Sequence, residues 1–588
     1  MAATKPTLED VIAHAEGLKT AGRTEDAARI YETWIDANNS PSKCVALFNL
    51  GVLRSDLGDL VQAEAAYGEA IRLNPRFHQA RINAGLAAER QERYEDAARH
   101  WLAIAEAVAG GQRDAAPFAT MALNHLGRLQ ESRRHYAAAE SALAHSLQID
   151  PAQPDAIQHW VHLRQKQCTW PVYAPLPGIT VNRMMAATSP LAMLALQDDP
   201  AMQWLAALSF VTRKYPPPEA PLARIVNKKD DDRVRIGYLS GDLCTHAVGL
   251  LMAEVFEAHD RARVHVTAFD FSPEDGTAHR ARLRRAVDEM VPVRSLSDRA
   301  TAEAIRDRGI DVLIDMHGLS SGARPGIMAL RPAPLVGAYL GFIGTTAFPW
   351  LDFIVADRWT MPESVTPYVT ERPLYIEGSM IPLSHQPVDA CRFTRETMGL
   401  PADAVVMACF NNIYKITPAL FASWLRILQR CGRAVLWLLD DNPWATAALR
   451  THAANAGLDA TRVIFTGRST HAEYREKLTL VDVYLDTFPY NAGSTARDVL
   501  DAGVPLVTLS GRTPVSRMAG GLLHAAGLPE LVTTSLEAYE TLAVQLAGDV
   551  SRRTAIRDDM RQRSATWRTA PARLARSLED QLVAMVKG

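Results

Sequence analysis

Strong charge of one sign, paired cysteines and long apolar runs are all missing from this 588-residue chain, and each absence removes a class of function. A formal net charge of −3 leaves no basic footprint for a polynucleotide, so no nucleic-acid partner is expected. Cys44, Cys168, Cys244, Cys391, Cys409 and Cys431 lie far apart with no CxxC pair, which argues against a zinc knuckle or a disulfide framework and predicts buried, reduced thiols. The opening MAATKPTLEDVIAHAEG has no basic stretch followed by an apolar one, and no later segment approaches the roughly twenty apolar residues of a membrane span. The expectation is a soluble cytoplasmic protein without a membrane partner. An acidic DxD-like pair near a strand end is also missing, so no metal and no cofactor are expected. The length itself suits about three domains.

What is present begins with a repeat. The segment ALFNLGVLRSDLGDLVQAEAAYGEAIRLNP (46–75) matches ARINAGLAAERQERYEDAARHW (80–101) at a shift of 34, pairing Gly51 with Gly85, Ala63 with Ala97 and Tyr67 with Trp101. A degenerate copy precedes them at Ala15, Ala27 and Tyr31; another follows at Gly127, Ala139 and Pro151, after an insertion containing GGQRDA. This period belongs to tetratricopeptide hairpins, in which small residues let two helices touch and Tyr67 or Trp101 fills the space towards the next hairpin. One hairpin cannot bury its apolar face alone, so stacking predicts a superhelix with a concave groove for an extended peptide. Asn49 and Asn83 share a register on the first helices and are candidate clamps for a peptide backbone, the alternative being solvated polar positions; His125 interrupts that ladder.

From Cys168 to Lys229 the chain turns irregular, with TWPVYAPLPG, a helical stretch over 192–212 and the run KYPPPEAPLA, which predicts a connector. The period then changes. VRIGYLS, VHVTAFDF, DVLIDMHG, VGAYLGF and DFIVAD alternate with helical segments such as RATAEAIRDRG, and VVMACF, AVLWLLD, VIFTG, VDVYLDTF and VPLVTL form a second series. Short apolar runs separated by helices predict parallel sheets with crossovers, hence two doubly wound domains joined near CRFTRETMGLPADA and facing across a cleft. Ligands in such sheets bind outside the carboxyl ends of the strands, which directs attention to the loops that follow these runs.

In the second series the loop NAGST opens into a helix near Ala496. Free N–H groups at that start, with the hydroxyls of Ser494 and Thr495 and close approach at Gly493, suit a diphosphate; an ordinary N-cap is the alternative. Asp498, one turn on, is placed for ribose hydroxyls. Lys415 in FNNIYKITP follows a strand end, where an ammonium group can neutralise a departing nucleotide diphosphate, unless it is a solvated surface lysine. In the first series, SGDLCTHAVG brings Asp242 and His246 to a strand end, where a histidine can relay a proton or orient an acceptor, or serve a purely structural loop. IDMHGLSSGAR adds His317 and Arg324 towards the same cleft, Arg324 as a phosphate or carbonyl ligand or as a packing arginine.

These strings, together with FSPEDGTAHR, ALRPAPLVGAYLGFIGTTAFPWLDFIVAD and LDTFPYNAGSTARDVLDAGVPLVTL, resemble the O-GlcNAc transferase family, and in particular bacterial homologues with few repeats. The resemblance covers the whole chain and implies a tetratricopeptide superhelix followed by a two-lobed α/β GT-B glycosyltransferase with Rossmann-like lobes. It implies repeats over 1–165, a connector over 166–230, one lobe over 231–395 and a nucleotide-sugar-binding lobe over 396–588. It further implies inverting, metal-independent transfer of N-acetylglucosamine from UDP-N-acetylglucosamine to Ser or Thr of a protein acceptor held by the repeats. The family's active-site histidine and its neighbouring aspartate fall on His246 and Asp242, its diphosphate-contacting lysine on Lys415 with Tyr414 beside it, its threonine pair on Ser494 and Thr495, and its ribose aspartate on Asp498. Three positions depart: Asn412 stands for a glutamine, Gly493 for a histidine and Tyr474 for a histidine near the uridine pocket. Ser469 and His471 fall in the uracil-facing loop, and His317, Arg324 and Gly341 complete the cleft. Two alternatives stay open, the same fold using GDP-fucose and a repeat scaffold with a weak catalytic half.

Overall fold

The computed structural model describes residues 6–217, 220–223, 232–388 and 391–587; the first five residues, parts of the connector's second half and the boundary expected at 230/231 lie outside them. Two compact units emerge, one of Met1–Arg164 with Ala174–Met184, the other of Gln165–Tyr173 with Met185–Gly588.

The first unit contains four helical hairpins: Leu8–Thr20 with Thr24–Ala37, Lys43–Asp56 with Leu60–Leu73, His78–Arg90 with Tyr94–Ala109, and Ala116–Ser132 with Tyr136–Ile149. The repeated glycines explain the tight pairing. A Cβ on Gly51 would lie 2.5 Å from the Tyr67 ring, on Gly85 2.3 Å from the Trp101 indole, and on Gly127 2.8 Å from Leu143. Tyr67 and Trp101 are therefore seated against the first helices of their own hairpins, and both also meet the following hairpin. Asn49 donates to the Tyr31 hydroxyl at 3.1 Å, Asn83 hydrogen-bonds Tyr67, and His125 stacks on Trp101 with centroids 5.5 Å apart. The register considered for a peptide clamp thus gives part of its hydrogen-bonding capacity to the aromatic residue of the preceding hairpin, because a buried hydroxyl needs a partner.

The second unit is built on two parallel sheets. The first comprises β1 (Val234–Ser240), β2 (Val264–Asp270), β3 (Glu289–Pro292), β4 (Val312–Asp315), β5 (Leu335–Ala338), β6 (Phe353–Ala356) and β7 (Arg372–Tyr375), in the order β3-β2-β1-β4-β5-β6-β7. The other comprises β8 (Val405–Cys409), β9 (Ala434–Asp440), β10 (Val463–Gly467), β11 (Val483–Leu485), β12 (Leu506–Leu509) and β13 (Val532–Thr533), in the order β10-β9-β8-β11-β12-β13. Strands covered on both faces read as continuous apolar runs, which is why β1, β2, β4, β5, β6, β8, β9, β11 and β12 are visible in the sequence; β10, a half-buried edge, is visible through its Val463–Phe465 run. The edge strands β3, β7 and β13 are short and partly polar, so their runs are not. With β7 counted, the link between the sheets is 376–404 rather than the short junction expected at CRFTRETMGLPADA.

In both sheets the strand order reverses beside the first strand, between β1 and β4 and between β8 and β11. The crevice at such a reversal is where doubly wound sheets bind ligands. One apolar core runs continuously through both lobes. The last helix, Ala570–Lys587, returns to the first lobe, where Glu579, almost wholly buried, accepts from Asp260 N at 2.9 Å and lies 2.9 Å from His259 Nδ1. The segment expected to form one lobe from 396 onward therefore ends by fastening the two lobes together.

Candidate active site

Between the carboxyl ends of the two sheets lies a cavity of about 800 Å³, within the range of small-molecule sites. Asp242, His246 and Gly341 line it from the first lobe; Asn412, Tyr414, Lys415, Ser469, His471, Gly493, Ser494, Thr495 and Asp498 line it from the second. Residues spread over more than 250 positions of sequence are thus brought to one surface by the two crossing points of the sheets.

Loop 241–246 follows β1. Its turn is held by Gly241 N donating to His317 Nε2 at 2.8 Å, Asp242 N to Ser240 Oγ at 3.0 Å and Leu243 N to Ser272 Oγ at 2.7 Å. His246 caps the helix Ala247–Ala258, its Nδ1 lying 3.4 Å from Val248 N and 3.5 Å from Asp242 Oδ2. The half-exposed imidazole leaves Nε2 without a hydrogen bond among the described residues. His317 is buried, and that burial pushes its pKa down while Asp242 opposes the shift. Because its Nε2 accepts a backbone N–H, His317 is the neutral ring that shapes the loop under Asp242. Gly341 is there for space: a Cβ would lie 1.9 Å from Met316 O.

Lys415 sits in a short turn after β8, almost fully buried. Its Nζ donates to Asn491 O at 3.3 Å and stands 3.7 Å from the centroid of the Tyr490 ring. Burial pushes the ammonium pKa below the ordinary lysine range, and Asp486 resists that shift. Asp486 organises the loop after β11, accepting from Thr487 N at 2.8 Å, Ala492 N at 2.8 Å and Thr508 Oγ1 at 2.7 Å. Its own carboxyl is pushed up by burial. The loop delivers the chain to Gly493, which starts the helix Ser494–Asp501 without any side-chain cap, leaving the start of that helix open at the cavity wall. Asp498 is nearly buried, with Oδ2 3.2 Å from His471 Nε2 and Oδ1 without a hydrogen-bond partner. Such an orphaned carboxylate oxygen suits a hydroxyl donor.

Besides Lys477, which also lines the cavity, two cations escape the sequence reading. Arg468 donates to Asn412 Oδ1 at 3.0 Å and to Asp441 Oδ1 at 2.5 Å, which orients the Asn412 carboxamide with its nitrogen unpaired. Arg497, on the same open helix, is buried and donates to Leu250 O across the cleft at 3.1 Å. Neither residue stands in a loop motif with a recognisable role; only the meeting of β10, β11 and the first lobe makes them part of the cavity wall.

Arg324 is a correction. It does not line this cavity: its guanidinium donates to Asp298 Oδ1 at 2.9 Å, Val293 O at 3.0 Å and Leu296 O at 2.7 Å, which makes it a packing arginine. His317 and Arg324 instead line an adjoining hollow of about 300 Å³ that shares Asp242 with the main cavity. Among the described residues no group of three or more His, Cys, Asp or Glu is placed to hold a metal ion. No helix among them is long and apolar enough to cross a membrane.

Helical repeats followed by two doubly wound lobes with a polar cavity between their strand ends are the architecture of GT-B glycosyltransferases that carry a tetratricopeptide region. The model of glycosyl transferase family 41 matches residues 220–390 and 384–570, and the chain belongs to that family. A tetratricopeptide repeat model matches residues 45–77. Over 425 residues the chain is 30% identical to the probable UDP-N-acetylglucosamine–peptide N-acetylglucosaminyltransferase SEC of Arabidopsis thaliana, covering 68% of this chain and 44% of that protein. It is 26% identical to the UDP-N-acetylglucosamine–peptide N-acetylglucosaminyltransferase of Caenorhabditis elegans, covering 55% and 38% of the two chains. The chain thus spans less than half the length of these curated relatives. A solved structure of an O-GlcNAc transferase mutant from Thermobaculum terrenum superposes with a TM-score of 0.63 at 25% identity, covering 98% of this chain and 97% of that one.

Proposed function

We propose that this glycosyltransferase moves N-acetylglucosamine from UDP-N-acetylglucosamine to Ser or Thr hydroxyls of protein acceptors bound by the repeat region, with inversion at the anomeric carbon and without a metal. The observation that carries the reading is the buried Lys415 ammonium beside the uncapped helix start at Gly493, in a cavity whose wall also includes the Asp498 carboxylate, one oxygen of which has no hydrogen-bond partner. Ammonium and helix start together favour a diphosphate, and Asp498 favours ribose hydroxyls. The names of the relatives support a UDP-N-acetylglucosamine donor and a peptide acceptor.

In this mechanism the acceptor oxygen attacks the anomeric carbon from the face opposite UDP. The bond from that carbon to the β-phosphate oxygen breaks, and the electron pair leaves on UDP, where Lys415 and the first N–H groups of the helix Ser494–Asp501 meet the growing charge. With Nδ1 accepting from Val248 N, His246 turns Nε2–H to the acceptor oxygen and orients it; taking the acceptor's proton on Nε2 requires Nδ1–H to turn from that cap to Asp242, 3.5 Å away. Asp242 and a donor phosphate oxygen are the other proton sinks within the site, and the pH–rate profile of His246→Ala separates them.

The test incubates the full chain with labelled UDP-N-acetylglucosamine or GDP-fucose and a protein extract, followed by site mapping by mass spectrometry and by calorimetry with UDP and GDP. Hexosamine on Ser or Thr and preference for UDP are expected. Preference for GDP removes the donor assignment, and nucleotide binding with no product removes the enzymatic reading.

A further inference from the structure

Away from the catalytic cavity, a groove of about 920 Å³ runs between β7 and the last helix, Ala570–Lys587. One wall is β7 with the three residues after it, 376–378; the other is a stripe of Ala572, Arg573, Arg576, Ser577 and Asp580 with Thr569 just before the helix, at the three- and four-residue spacing of one helix face. Arg358 and Trp359 close one side.

Two features of the groove remain unsatisfied within the chain. The first is backbone. β7 is the edge of its sheet, and Arg372 N donates to Asp352 O and Ile376 N to Ala356 O, both towards β6. Since backbone groups alternate in direction along a strand, Pro373 and Tyr375 turn theirs towards the groove. Proline supplies no N–H, so the outward edge offers the Tyr375 N–H and the carbonyls of Pro373 and Tyr375; the open stretch ends there, since Glu377 N donates to Ser577 Oγ of the facing helix at 2.9 Å. The second feature is charge. Arg576 is matched by Asp260 at 3.2 Å and Asp580 by Arg263 at 2.6 Å. Arg358, Arg372 and Arg573 are exposed and, among the described residues, have no carboxylate partner; Arg358 instead lies over the Tyr375 ring, 4.6 Å from its centroid. Glu377 is the one unmatched acid that faces them. Three guanidinium groups against one carboxylate beside an open strand edge are complementary to one kind of occupant.

We propose that this groove docks an extended acidic peptide segment of a partner protein, which adds a short strand to β7 and places its carboxylates on Arg358, Arg372 and Arg573. Backbone pairing supplies affinity and the arginines supply selectivity, since planar guanidinium groups take carboxylates in pairs of hydrogen bonds. None of the three arginines belongs to the catalytic cavity, so docking here is separable from catalysis.

The test uses the full chain and a fluorescein-labelled decapeptide of alternating valine and glutamate, read by fluorescence anisotropy with and without saturating UDP. Alternating valine and lysine, and the acidic peptide N-methylated at every second residue, serve as controls. Saturable binding of the acidic peptide is expected, with a dissociation constant raised at least about tenfold by Arg358→Glu, Arg372→Glu and Arg573→Glu together and by N-methylation, while UDP affinity stays unchanged. A glutamine set at the same positions replaces the glutamate set if melting shows that the latter is unfolded. Equal binding of the lysine peptide, indifference to the arginine changes, displacement by UDP, or arginine-dependent binding to phosphatidylserine vesicles without peptide binding would each overturn the proposal.

Discussion

Replacing Lys415 by methionine keeps the buried stem and deletes the charge, which makes it the sharpest probe of the site. The ammonium is nearly buried, held at Asn491 O and the Tyr490 ring, and no carboxylate among the described residues forms a salt bridge with it. At a contact distance of about 3 Å and an effective dielectric of about 20, two unit charges interact by about 5 kcal/mol. UDP is already anionic in the bound donor, so only the charge that develops during bond cleavage counts towards kcat. Loss of one such positioned donor costs about 10²- to 10³-fold in kcat. That is the expected effect in single-turnover transfer at saturating donor, with a smaller change in UDP affinity by calorimetry. The sign of the pH effect follows from the depressed pKa: the ammonium is charged at low pH and loses its proton as pH rises. The parent's alkaline limb in kcat/KM, which reports the free enzyme, therefore falls below the ordinary lysine value of about 10.4, and UDP binding on that limb takes up a proton. The methionine variant lacks both effects. Turnover within about threefold of the parent, with an unchanged alkaline limb, would refute the leaving-group role.

Asn412→Asp retains the contact with Arg468 but exchanges the free amide N–H for negative charge, so UDP affinity is expected to fall about tenfold or more by calorimetry, with little change in melting temperature. Gly51→Ala drives a Cβ to 2.5 Å from the Tyr67 ring and should destabilise the repeat unit by about 1–3 kcal/mol, seen as faster proteolysis of that unit while UDP binding is unaltered. Glu579→Ala strips the buried partner from His259 and Arg263; a loss of about 3–5 kcal/mol is expected by denaturant unfolding, with increased hydrogen exchange in the last helix.

The repeat period and the apolar runs of the inner strands are local properties, because helix pairing at Gly51 and Gly85 and strands covered on both faces each demand a residue pattern at fixed spacing. The loops carrying Asp242 and His246, Lys415, and Gly493 to Asp498 were legible for the same reason, since each directly follows such a run. Arg324 follows one too, yet its guanidinium turns to the carbonyls at Val293 and Leu296, a choice made by the neighbouring chain rather than by its own loop. Arg468 and Arg497 acquire their place from partners far away in sequence, Asn412 with Asp441 and Leu250.

By itself, then, the order of residues determined which elements form and which loops stand at strand ends, because hydrophobic period and turn chemistry act over a few residues. Tertiary structure alone decided which charges stay unpaired, which polar groups are consumed in packing and where the last helix closes. Burial and electrostatic pairing depend on what arrives from elsewhere in the chain.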